Sequence, residues 1–208
     1  MSSSVTWGHI HAERAAMAES WAALTPEQWA TASWCAGWTV QQTAGHILSA
    51  AEQTPPHFYL ELAQAGFRFS TFAERGAQRL GALEPQQLSE RLEARTTTTN
   101  RPPAPVVTML GEIVVHGEDI RRPLGLTHTV DDAALVAVAD SYKSSNLLIG
   151  SKRRIEGLRL TATDVAWSTG DGPEVTGPLV SLILVMTGRS AASPDLEGEG
   201  LSTVLSRC

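Results

Sequence analysis

The feature that most constrains this chain is the punctuation of its first half: apolar positions recur at helical spacing, no period-2 run occurs, and proline or glycine cuts the pattern at Pro26, Pro55, Gly81, Pro85 and Pro123. Helical segments of that length are marginal alone and bury their apolar stripes against one another. An all-helical N-terminal domain is expected. Trp7 to Leu24 reads as its first helix, and Thr25-Pro26-Glu27 opens a short second segment. The next helix should begin near Thr39 and run to about Gln53, stopped by Pro55-Pro56, with His46 in its middle. Tyr59 to Arg95 is helical with breaks at Gly81 and Pro85, and Thr96 to Pro105 reads as a loop. A last helix from about Ala104 to Arg122 ends on Arg121-Arg122, which suit the negative helix terminus, before Pro123 and Gly125.

The second half changes character. Asp131-Asp132 can cap a helix to about Ile149, and Leu158 to Thr163 alternates as a half-exposed strand does. Ala166 to Ser168 and Glu174 to Thr176 flank Thr169-Gly-Asp-Gly-Pro173, a hairpin turn by composition. Gly177 to Gly188 looks like a buried helix, although its β-branched content leaves a strand possible. The expected fold class is α+β, with a helical domain over 1–127 and a small α+β domain over 128–208.

The 208 residues, 42% of them hydrophobic and 18% charged, suffice for a buried core. No run reaches the roughly 18 to 20 apolar residues of a membrane span, and Met1 to Thr6 lacks the regions of a secretory signal, so a cytoplasmic location is expected. The formal charge of −6 repels a phosphate backbone, so no nucleic-acid partner is expected. With only Cys35 and Cys208, no disulfide framework can form. Cys35 could be a nucleophile but reads more readily as a small apolar structural residue.

Glu112-Ile-Val-Val-His116 sets a carboxylate and an imidazole one helical turn apart on a face shared with Met109 and Val115. An ionised glutamate there is costly without a partner, and a metal ion would supply one. His46 is the best-placed third ligand. Two histidines and one carboxylate leave a fourth zinc position open, the arrangement of a catalytic site. Asp119 could orient His116 or could pair with Arg122. Spacing alone leaves open a surface Glu–His pair and a core histidine at His46.

The stretch Cys35-Ala-Gly-Trp-Thr-Val-Gln-Gln-Thr-Ala-Gly-His46, with Glu112-Ile-Val-Val-His-Gly-Glu-Asp-Ile-Arg-Arg-Pro-Leu-Gly125, resembles the mycothiol-dependent maleylpyruvate isomerase family of the DinB-like superfamily. Leu158-Arg-Leu-Thr-Ala-Thr-Asp-Val-Ala-Trp167, Gly170-Asp-Gly-Pro173 and Thr187-Gly-Arg189 look like that family's C-terminal domain. The resemblance implies a DinB-like four-helix bundle in which His46, Glu112 and His116 hold a divalent ion, zinc first, with nickel, iron or manganese also compatible. It further implies mycothiol as cosubstrate, for isomerising a small electrophile or joining the thiol to it. Arg189 resembles an arginine the isomerase uses, and Arg75 is a second candidate for holding an anionic substrate. A metal-dependent hydrolase and a non-catalytic metal-binding module remain as alternatives.

Overall fold

The computed structural model describes residues 1–147 and 149–208. The chain folds as two compact units, Met1–Thr129 and Val130–Cys208. The first contains helices α1 (Ser3–Ala22), α2 (Pro26–Ala30), α3 (Val40–Glu52), α4 (Pro55–Gln64), α5 (Phe69–Gly81), α6 (Pro85–Glu93) and α7 (Val106–Arg121). Local chemistry sets these boundaries. Thr25 and Thr39 form capping boxes with Gln28 and Gln42, and each cap is worth about 1 kcal/mol. Proline occupies the first turn of α2, α4 and α6, where its missing N–H costs nothing. Pro55 thus begins a new helix directly after α3, whose last turn is closed by the extended Gln53. A further break separates α4 from α5 at Gly66 and Phe67, which have φ of 64° and 59°. Gly66, like Gly81 and Pro85, is a residue type that signals such a break, whereas a phenylalanine carries no preference for the left-handed conformation.

The long helices form a bundle: α1 packs on α6 and α7, and α3 packs on α5 and α7. Its core includes Ile10, Met17 and Trp21 of α1, Val40, Ala44 and Leu48 of α3, and Leu110, Val114 and Ile120 of α7. Helices α3 and α5 meet backbone to backbone. A Cβ on Gly45 would stand 2.7 Å from the Ala77 carbonyl oxygen, and one on Gly81 would stand 2.9 Å from Gln42 Cα. That close approach is available only to glycine and sets the depth at which His46, the next residue, sits.

The second unit begins with α8 (Asp132–Lys143), capped by Asp131, whose side chain accepts from the Ala133 and Ala134 N–H groups. The helix stops well short of Ile149, and Leu148 lies outside the described residues. The Ser144 hydroxyl bonds the Asp140 and Ser141 carbonyls, Ser145 accepts from Leu147 N, and Asn146 accepts from Arg153 N. These short polar side chains offer the backbone partners outside a helix and end it. Then follow α9 (Ser151–Arg154), β1 (Arg159–Ala162), β2 (Ser168–Thr169), β3 (Glu174–Gly177), α10 (Leu179–Met186) and α11 (Leu201–Leu205).

The strands form one sheet in the order β2-β1-β3, with β2 antiparallel and β3 parallel to β1. The hairpin expected across Thr169 to Pro173 is therefore not formed: β2 and β3 lie on opposite edges of β1. The segment between them crosses the start of β1 so closely that a Cβ on Gly170 or Gly172 would overlap the Leu158 or Gly157 carbonyl group. Composition marks a turn there but not which strands it joins. Gly177 to Gly188 resolves as helix α10, buried from Leu182 to Met186, packing on α8 and the sheet. No helix among the described residues is long and apolar enough to cross a membrane.

Candidate metal centre

Helix α3 carries His46, and α7, packed against it, carries Glu112 and His116. One ligand atom from each lies within 4.8 Å of the others. His46 Nε2 is paired with Glu112 Oε1, His116 Nε2 stands 3.4 Å from the same oxygen, and the two imidazoles meet edge to face with centroids 4.8 Å apart. The imidazoles are largely buried, at 12% and 13% exposure, whereas the Glu112 side chain is 31% exposed. Solvent, or a small molecule, therefore reaches the cluster on its carboxylate side. Met109 and Val115 beside it on α7 are buried, so the face is partly apolar.

Glu112 and His116 shift one another's ionisation. Burial alone would raise the Glu112 pKa, but His46 and His116 outweigh it and hold the carboxyl well below its usual range. Burial alone would lower the His116 pKa. Glu112, the hydrogen bond to Asp119 and a hydrogen bond with Cys35 reverse that and hold it well above the ordinary histidine value. In the metal-free protein a proton on His116 thus supplies the positive charge that Glu112 requires.

Asp119 is wholly buried, and its Oδ2 lies 2.8 Å from His116 Nδ1. With Nδ1 protonated and donating to Asp119, the lone pair of Nε2 faces Glu112 and His46, the tautomer a metal ligand needs. Of the two partners open to Asp119 by sequence, the structure shows His116 in contact with it. Arg122 Nε donates to Glu118 at 2.7 Å.

A side chain that spacing does not single out also lies here. Cys35, half-buried, sits in the turn before α3, with its sulfur, a His116 nitrogen and an Asp119 oxygen within 4.8 Å of one another. That turn is fastened at several points: Trp34 N donates to the Asp119 carbonyl at 2.9 Å, Ser33 N to the Trp38 carbonyl at 3.0 Å, and the Ser33 and Thr43 hydroxyls meet at 2.8 Å. The Arg122 guanidinium lies 5.8 Å from the Trp34 ring centroid. The turn also brings the Trp38 ring to 5.1 Å from that of His46. Reading Cys35 as an apolar filler missed this placement, because the contact joins residues far apart in sequence.

Arg75 is exposed on α5 and donates to the Gln64 carbonyl at 2.8 Å, closing the end of α4. Arg189, in the second unit just after α10, donates to the Thr187 carbonyl at 2.9 Å.

Residues 10–106 match the family model of the mycothiol maleylpyruvate isomerase N-terminal domain. Over that stretch the N-terminal unit is similar to this domain family. The stretch matched to the mycothiol maleylpyruvate isomerase N-terminal domain contains Cys35 and His46 and ends before Glu112 and His116, so those two residues rest on the geometry described above. Comparison with curated proteins gives no match. Among solved structures, the mycothiol-dependent maleylpyruvate isomerase superposes with a TM-score of 0.65 at 14% identity, covering 96% of this chain and 93% of that one. A histidine-to-alanine mutant of it superposes with a TM-score of 0.63 at 15% identity over the same shares. At such identities the likeness is one of fold, and it extends through both units.

Proposed function

We propose that this chain is a metal-dependent thiol enzyme of the mycothiol-dependent maleylpyruvate isomerase type, with a divalent ion, zinc first, held by His46, Glu112 and His116. The observation that carries this reading is the convergence of two imidazoles and one carboxylate from α3 and α7 within 4.8 Å, with the carboxylate side open. The donor set suits zinc, and three protein ligands leave one position for an exogenous group. Bound there, the ion would supply Lewis acidity, which lets a low-molecular-weight thiol such as mycothiol reside as a thiolate at neutral pH.

The chain's own residues have separable parts. His46 and His116 contribute neutral nitrogen donors, and Asp119 holds the His116 ring in the productive tautomer. Glu112 contributes negative charge without needing a proton, since its carboxyl already ionises well below the usual range. Buried Val115 and Met109 exclude water from the α7 side. A thiolate made available in this way would add to an activated double bond, turn it into a rotatable single bond, and be expelled to leave the trans isomer. In a transferase the adduct is released instead. Arg189 and Arg75 are the proposed cations for an acidic substrate.

The test is elemental analysis joined to a thiol assay. About one zinc per chain is expected, absent from His116→Ala at matched folding, together with turnover of an electrophile such as maleylpyruvate that requires mycothiol. Metal without thiol dependence would favour a hydrolase, and wild type that takes up no zinc would end the reading.

A further inference from the structure

The cluster contains a second set of metal-ligating atoms that the proposed reaction does not use. Cys35 Sγ, His116 and Asp119 lie within 4.8 Å of one another, as His46, Glu112 and His116 do, and the two sets share only His116. They approach it from different nitrogens. Glu112 lies by Nε2 at 3.4 Å, whereas Asp119 lies by Nδ1 at 2.8 Å. A neutral imidazole has one lone pair and one N–H. An ion on Nε2 leaves Nδ1–H to donate to Asp119. An ion on Nδ1, between Asp119 and Cys35, moves the proton to Nε2, where Glu112 accepts it.

The two sets also differ in softness. Imidazoles and a carboxylate accept most divalent first-row ions, whereas a thiolate selects thiophilic ones. Donors around a tetrahedral zinc stand roughly 3.3–3.6 Å apart, so the 2.8 Å contact between Asp119 and His116 has to widen slightly while the Cys35 sulfur settles at that distance from both. Cys35 can supply that movement, since Ala36 and Gly37 after it are exposed, while the backbone bond from Trp34 to Asp119 keeps the turn attached.

We propose that Cys35, His116 and Asp119 form a second, thiophilic metal position that shares His116 with the first, so that an ion at one withdraws the histidine from the other. Binding there releases the Cys35 thiol proton and one His116 proton to solvent and forms a sulfur–metal and a nitrogen–metal bond in their place. No oxidant is needed. The position does not depend on the enzymatic reading, because His46 and Glu112 take no part in it.

The experiment uses the full chain carrying Cys208→Ser, which leaves Cys35 as the only thiol, depleted of metal and titrated with cadmium. Ultraviolet absorption from sulfur-to-cadmium charge transfer is expected to saturate at one ion per chain, to persist in His46→Ala and to be lost in Cys35→Ser. Should Cys35→Ser fail to fold, alkylation of Cys35 in the folded chain gives the same comparison. The proposal is overturned by the absence of the band, by its survival without the Cys35 thiol, or by its loss in His46→Ala. That last result would make Cys35 a ligand of the first position.

Discussion

Glu112 and His116 of the candidate centre carry charge states that their neighbours enforce. Metal uptake has to displace the proton that Glu112 and Asp119 hold on His116, so zinc affinity is expected to rise with pH through the range above 6.5. Titration calorimetry in buffers of different ionisation enthalpy will register this as proton release, and a pH-independent affinity would contradict it. Stability of the metal-free chain should run the other way. The pKa of His116 is raised on folding, so its contribution is complete below the unfolded value and lost as pH rises through the folded one. The pKa of Glu112 is lowered, so its contribution is lost as pH falls through its folded value. Asp119 acts through His116. Asp119→Asn should weaken zinc binding roughly 10- to 100-fold, read by chelator competition, with the secondary structure intact.

At the scale of elements, the contact between α3 and α5 decides where His46 stands. Gly45→Ala puts a methyl group into the Ala77 carbonyl and the Gly81 backbone, neither of which can swing aside. The substitution should destabilise the fold by about 1–3 kcal/mol in urea unfolding and loosen zinc binding as well. Loss of stability with unchanged affinity would separate the helix contact from the site. The helix boundaries themselves were legible from local chemistry. Thr39 with Gln42 opens α3, and Pro85 opens α6, because caps and prolines act over three or four residues. The end of α8 at Lys143 and the break at Phe67 were not legible, since they depend on side-chain bonds and tertiary packing that compete with helix propensity.

For the whole molecule, binding of an ion to the folded chain but not to the unfolded one raises stability by about 2.7 kcal/mol at a free concentration 100 times Kd. The denaturation midpoint of the wild type should therefore rise with added zinc, and that of His116→Ala, which lacks the histidine common to both sets of ligating atoms, should not. Arg189→Ala is expected to raise KM for acidic electrophiles while leaving neutral ones unaffected. An equal loss on both would remove Arg189 from substrate recognition.

What the sequence determined by itself is what short-range chemistry determines. The helical first half follows from apolar spacing and proline placement, and Glu112 with His116 follows from the four-residue turn of a helix. His46 was the best-placed candidate for a third ligand, and the resemblance carried by the stretch from Cys35 to His46 implied the same residue. Tertiary structure alone decided that β1 separates β2 from β3, that Asp119 faces His116, and that Cys35 lies against the same imidazole. The physical reason is common to all three. Strand order and side-chain partners are set by which surfaces a folded chain brings together, and spacing along the sequence carries no record of that choice.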